Sequence, residues 1–222
     1  MSDCKVRQFA KSIYLKIFGL CRCHDTNPEQ TRNRILEAAF TEMYENGFQG
    51  MRIEHILQKT GLAKGALYHH FPSKKSLGYA VVDEVLFTVK KQILQNLANA
   101  EDPIAAYAQI LTDLDKQVVE DDVVRGCPLN NLSQEMCSLD EGFKDRLLAI
   151  HNYWQNTLET ALVAGQANGT VDKRIDAKLI SAFIISSHQG IVGTVKCMQS
   201  LELMHQLNAT LRDYLYRLRP EH

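Results

Sequence analysis

Two short apolar stripes meet at a glycine, and that junction constrains the fold more than any other feature of the chain. Ile53, Ile56 and Leu57 share one face of a segment from Arg52 to Lys59, and Thr60-Gly61-Leu62 then reads as a tight turn. Gly61 supplies the positive φ that a sharp helix-to-helix reversal requires. A second short helix is predicted from Lys64 to His70. Phe71-Pro72 ends it, because the residue before proline is pushed out of the helical region. Ile53, Ile56, Leu62 and Leu67 are expected to pack between the two helices. Lys64, Gly65, Ala66, Tyr68 and His69 are left on the opposite face.

That outer face has the chemistry of a nucleic-acid reader. Gly65 and Ala66 are small enough to let the backbone approach a groove, and Tyr68 and His69 can donate to phosphate oxygens or base edges. The N-terminus of the second helix favours a nearby phosphate, and Lys74, just past the break, can hold the adjacent backbone. On these residues alone the unit reads as a helix-turn-helix, with an ordinary helical hairpin as the competing reading.

The flanking sequence is helical throughout. Asn27-Pro-Glu-Gln30 has the pattern of a helix start, after which Ile35, Leu36, Ala39, Phe40 and Met43 recur at helical spacing until Gly47. Ser73 opens a periodic segment to about Ala100, and Asp102-Pro103 opens another to about Glu120. The acidic run and the Arg125-Gly126 step interrupt there. A helix starting at Pro128 follows, then one capped through Ser138–Glu141 and running to about Asn168, with Gly169 as its stop. Segments 174–199 and 201–218 complete an all-α chain of about nine helices. The expected organisation is a basic arm over 1–25, a three-helix helix-turn-helix domain over 26–75, and a larger helical ligand-binding and dimerisation domain over 76–222.

Charge is distributed unevenly. Residues 1–24 carry five Lys/Arg against one Asp, and residues 28–76 carry seven against five acids. The remainder is net acidic by about six charges, so the front of the chain is the part suited to a polyanion. Lys11 and Lys16 interrupt the apolar part of residues 1–24, which argues against a membrane span or secretory signal. Six scattered cysteines without a framework spacing fit free thiols in a reducing cytoplasm. Cys21, Cys23 and His24 offer only three ligands at a spacing unusual for zinc, so no metal is expected. No cofactor is expected either.

The run Gly61-Leu-Ala-Lys-Gly-Ala-Leu-Tyr-His-His-Phe-Pro-Ser-Lys-Lys-Ser-Leu77 closely resembles the signature of the TetR family of transcriptional repressors. Ile35-Leu36-Glu37-Ala38-Ala39 and Gly47-Phe48 fit the same pattern, so the likeness is dense over about fifty residues. The resemblance implies an all-helical homodimer whose paired recognition helices enter successive major grooves of a palindromic operator. It further implies release of the DNA when a ligand binds the second domain. Carried over by position, Lys64, Gly65, Ala66, Tyr68 and His69 face the groove and Lys74 meets phosphate. Met51 departs from the Thr or Ser that often opens the second helix in this family. That loss of a cap costs about 1 kcal/mol locally and makes Arg52 the substitute phosphate contact.

Arg125-Gly-Cys-Pro-Leu-Asn-Asn-Leu-Ser-Gln-Glu135 is similar to a segment of one branch of the family, whose members respond to drugs, aromatics or reactive electrophiles. In the electrophile-responsive members the cysteine matching Cys127 is the sensor. The local chemistry is compatible: with Pro128 at the first helical position, Cys127 is expected at the N-cap, where the helix dipole favours thiolate. The alternative is a cysteine that is simply a small buried residue. A Cys127–Cys137 disulfide is not expected, since an intervening helix separates them by roughly 15 Å.

Tyr107, His151, Trp154, Phe183 and His188 are candidates to line a ligand cavity, with plain core as the competing reading. Ser186, Ser187, Gly190 and Gly193, with Ala182 one turn earlier, place small residues along one side of a late helix. Dimerisation through residues 175–218 is expected there. Two readings from other classes compete: a cysteine-dependent enzyme using Cys127 with His151 as base, and a membrane-associated scaffold held by residues 1–24. The first lacks an orienting group and an oxyanion site, and leaves the DNA-reading motif unexplained.

Overall fold

The computed structural model describes residues 28–221, and every regular element among them is helical. The Asn27 cap, the basic arm and the Cys21/Cys23/His24 group lie outside the described residues. The elements are α1 (Pro28–Gly50), α2 (Ile53–Thr60), α3 (Lys64–His70), α4 (Lys74–Ala80), a π-helical segment (Val81–Leu86), α5 (Phe87–Leu94), α6 (Pro103–Gln117), α7 (Glu120–Arg125), α8 (Pro128–Met136), α9 (Glu141–Asn168), α10 (Ala177–Met198) and α11 (Leu201–Tyr216). No helix among the described residues is long and apolar enough to cross a membrane.

The chain divides into two compact units. One comprises the described residues up to Val89 together with Pro128–Leu148, and the other Lys90–Cys127 with the described residues from Ala149 onward. Compactness thus groups the chain differently from the expected division at residue 75, because α8 and the start of α9 pack with the helix-turn-helix.

In the first unit, the apolar residues anticipated in α1 are all buried: Ile35, Leu36, Ala39, Phe40 and Met43. Gly47 (φ 72°, ψ 172°) breaks the helical path of α1 near its end. The break is clasped from α8: the Glu135 carboxylate accepts from Phe48 N at 2.9 Å and Gln49 N at 2.8 Å. Lys74 Nζ donates to Gln49 O at 2.9 Å. Phe48 packs on Phe143, with ring centroids 4.5 Å apart, directly over Gly78. Glu42, almost wholly buried, is held by His55 Nδ1 at 2.8 Å and Lys59 Nζ at 3.1 Å, which ties α1 to α2.

In the second unit, Leu94, Leu97, Ile104, Tyr107, Leu111, Trp154, Leu158, Leu162, Ile184, Leu211 and Leu215 build a continuous core. A smaller cluster joins Val123, Val192, Val195 and Met204, against which Cys127 and Leu207 pack. Three helices start on oxygen caps: Asp102 accepts from Ala105 N, Asp176 from Leu179 N and Ser200 from Leu203 N.

Several boundaries differ from expectation. The acidic run after α6 is not an interruption but the short helix α7, because Asp122 accepts from Val119 N at 3.1 Å and closes a first turn. The cap of α9 is Asp140, which accepts from Phe143 N at 3.0 Å, rather than Ser138. The segment expected to run unbroken from Ser73 widens into π geometry at Val81–Leu86, which side-chain periodicity does not register.

Candidate nucleic-acid interface and ligand site

Gly61 occupies the left-handed region (φ 68°, ψ 17°), and its N–H closes α2 on Leu57 O at 2.8 Å. The turn therefore uses the one residue type that takes this conformation without a Cβ penalty. Ile53, Ile56 and Leu67 are buried as expected, on helices that both pack against α1, whereas Leu62 stays half-exposed. Met51 is buried in the core, and the residue opening α2 is Arg52, exposed and making no side-chain cap. The methionine thus trades a cap for apolar packing.

Leu67 anchors α3, whose opposite face is free: Lys64, Gly65 and His69 are exposed, and Ala66 and Tyr68 half-exposed. A Cβ added at Gly65 would meet nothing within 4 Å, so the glycine answers no packing need inside the chain. Lys64 Nζ sits 6.0 Å from the Tyr68 ring centroid and His69 packs edge-on against His70. Lys74 begins α4 behind the Ser73 cap and spends one donor on Gln49 O, which places it on the hinge beside Gly47.

In the second unit, Tyr107 and His188 meet the Trp154 indole, and His151 and His188 both feel the charge of Lys90. Trp154 Nε1 donates to Tyr107 Oη at 3.2 Å, and His188 packs edge-on against the Trp154 ring with centroids 5.7 Å apart. Both Tyr107 and Trp154 are fully buried. Burial pushes Tyr107 well above its ordinary value, lowers His151, and pushes His188 down to about 4. His188 Nδ1 is buried without a hydrogen-bond partner among the described residues.

Phe183 stands apart from this group: it is 49% exposed and packs edge-on against Tyr214. Helical periodicity could not separate it from His188, because both fall near a boundary between the two faces of α10.

The residue that sequence reasoning missed is Lys90. Its Nζ lies 3.3 Å from the Trp154 ring centroid. Burial pushes the ammonium down from 10.5 to about 8, against which nearby Cys127 acts in the opposite sense. The charge of Lys90 in turn helps to depress both His151 and His188. Its only signal in the sequence was a cation interrupting an apolar stripe between Val89 and Ile93.

Cys127, Cys137 and Cys197 are free thiols. Cys127 is half-buried and directly follows Gly126, whose φ of 74° turns the chain out of α7. Burial raises the Cys137 thiol above its ordinary value.

Comparison with known proteins agrees with this geometry. A profile described as bacterial regulatory proteins, tetR family, matches residues 35–81, and one described as tetracyclin repressor-like, C-terminal domain, matches residues 105–211. The HTH-type transcriptional repressor DhaR of Mycobacterium sp. (strain GP1) is 26% identical over 180 residues, covering 79% of this chain and 87% of that protein. An HTH-type transcriptional regulator in the lacX 3′ region of Lactococcus lactis subsp. lactis is 30% identical over 180 residues, covering 80% and 89%. The crystal structure of E. coli NemR in its reduced form superposes with a TM-score of 0.71 at 22% identity, covering 83% of this chain and 96% of that one. The chain belongs to the TetR family of helix-turn-helix transcriptional regulators.

Proposed function

We propose that the protein is a homodimeric cytoplasmic repressor that reads a palindromic operator through α3 and is released by a small molecule acting on its second compact unit. The observation that carries this reading is the division of α3: Leu67 is fully buried while Lys64, Gly65 and His69 face outward. Such a helix can enter a major groove without disturbing its own packing. In this reading Lys64, Ala66, Tyr68 and His69 meet base edges and phosphates around Gly65. Arg52 and Lys74 hold the flanking backbone. The assay is binding of the purified protein to its own upstream DNA at graded salt. Lys64→Ala is expected to weaken binding and flatten the salt slope by about one. Salt-independent or absent binding would overturn the reading.

Dimerisation through residues 175–218 is supported by a strip on α10 that the chain itself leaves open. Leu179 and Phe183 are 66% and 49% exposed and Met198 is 62% exposed. Between them Ser186, Gly190 and Gly193 are exposed, and a Cβ at Gly190 would meet nothing within 4 Å. Apolar residues around a small-residue centre allow close helix approach.

The inducer in this reading is either an aromatic held around Tyr107, Trp154, His151 and His188 or an electrophile that alkylates Cys127. The thiol is free and only half-buried, so a small reagent can reach it. Operator release by quinones or aldehydes that persists unchanged in Cys127→Ser would remove the thiol from the mechanism.

A further inference from the structure

We propose that Lys90 and His188 form a subsite for the carboxylate of a small apolar acid, which makes the inducer an anion. The inference rests on reading the unit formed by Lys90–Cys127 and Ala149–His222 as the sensor. Two polar groups flank the Trp154 indole without a partner of opposite charge or a hydrogen-bond acceptor: the half-buried Lys90 ammonium and the buried His188 Nδ1. Lys90 Nζ lies 3.3 Å from the ring centroid, and no carboxylate or hydrogen-bond acceptor meets it among the described residues. His188, edge-on to the same ring, leaves Nδ1 buried and unpartnered.

Native interiors satisfy buried polar groups or use them. A cation over an aromatic face gains from the ring quadrupole, but that gain does not replace a lost hydration shell. A carboxylate does, accepting from the Lys90 ammonium and from an N–H at His188 Nδ1. The surroundings are apolar: Leu94, Tyr107, Leu158 and Ile184 belong to the same core cluster as Trp154, which suits an uncharged hydrocarbon body.

The titratable groups that interact with Lys90 are Cys127 after α7, His151 on α9 and His188 on α10, with Tyr107 of α6 hydrogen-bonded to the Trp154 indole beneath it. None is an acid that competes for the ammonium at neutral pH in its carboxylate form. With the His188 ring held near 4 and His151 also lowered, both histidines stay neutral through the alkaline range. Lys90, near 8, is then the group whose charge changes. Anion affinity is therefore expected to be full below pH 8 and to fall about tenfold per pH unit above it.

Trp154 is the only tryptophan in the chain, so its fluorescence reports the subsite directly. The full-length protein carrying Cys127→Ser, which removes the neighbouring thiol, is titrated with acetate, hexanoate, benzoate and cinnamate and with the matching neutral amides. At least one acid is expected to bind tenfold or more tightly than its amide at pH 7. Lys90→Met abolishes that preference, and Lys90→Arg keeps it while removing the decline above pH 8. Equal binding of acids and amides, no binding of any acid, or an unchanged preference in Lys90→Met overturns the proposal. Operator binding by the unmodified protein is measured in parallel. Its loss would overturn the repressor reading, whereas loss of acid binding alone would overturn only the subsite.

Discussion

Replacing Glu135 tests whether the contact between α8 and the end of α1 holds the helix-turn-helix in place. The carboxylate accepts from two backbone N–H groups, at 2.9 Å from Phe48 and 2.8 Å from Gln49. Hydrogen bonds to a charged group contribute about 1.5–3 kcal/mol each, and an orphaned buried N–H costs about 1–3 kcal/mol. The two sites are not equal. Gln49 is exposed and water can replace its partner, so its share falls at the low end. Phe48 is buried and its ring packs on Phe143, so its amide is the less easily hydrated of the two. Glu135→Gln keeps one acceptor oxygen and loses the charge, for an expected cost of about 2 kcal/mol. Glu135→Ala loses both bonds, for about 3 kcal/mol. Since 1.4 kcal/mol is a factor of ten, native-state exchange of the Phe48 and Gln49 amides is expected to accelerate about 30-fold in the glutamine variant. Amides in the core of α11 should be unaffected by comparison. Exchange at Phe48 within about threefold of wild type in Glu135→Ala would show instead that the ring packing alone holds this segment.

Three further outcomes follow from the same geometry. Gly65→Ala should leave stability unchanged or raise it by about 0.5–1 kcal/mol, since the added Cβ meets nothing and alanine is the better helix former. Its operator affinity, measured by fluorescence anisotropy, should nonetheless fall at least tenfold, and retained affinity would mean that this face does not meet DNA. Gly78→Ala should cost about 1–3 kcal/mol in urea denaturation, because its Cβ would stand 2.5 Å from Phe48 Cε2 and 2.8 Å from Phe143 Cζ. For Glu42, burial alone would raise the carboxyl, but hydrogen bonds from His55 and Lys59 outweigh it and hold the group below its ordinary 4.5. A depressed folded value contributes stability above the unfolded value and loses it as pH falls through the folded one. The stability gap between wild type and Glu42→Gln should therefore be full at pH 6 to 7 and shrink below about pH 4.5. A gap independent of pH would show that shape rather than charge matters at this position.

Much of the first unit was legible because its determinants are local. Gly61 can take a positive φ regardless of what surrounds it, Pro72 ends α3 through a clash with its own neighbour, and Ser73 reaches a backbone N–H three residues away. The period of Ile35, Leu36, Ala39, Phe40 and Met43 likewise states which side of α1 is covered. What covers it is not a local property. Met51 read as a missing cap because the helix end was visible in sequence and the apolar space around the residue was not. Asp122 made a helix from an acidic stretch by folding back on Val119, a choice that the charge run alone concealed.

The candidate ligand site was half legible for the same reason. Tyr107, Trp154 and His188 stood out as residues able to line a pocket, and they meet around one indole. Phe183 was grouped with them because a helix turns only 100° per residue, so a position at the edge of a face can fall on either side. Lys90 was overlooked because a lysine in an amphipathic helix normally reaches water by its long stem, whereas here Trp154 holds it back. The sequence by itself determined an all-helical chain with a helix-turn-helix at Arg52–Phe71, since caps, turns and periodicity act within a few residues. Only the tertiary structure decided that Glu135 clasps residues 48 and 49, that Phe183 faces outward, and that Lys90 stands uncompensated over Trp154. Each of those outcomes depends on which distant surface removes water from a side chain, and pairings between residues far apart in sequence leave no periodic trace in the chain.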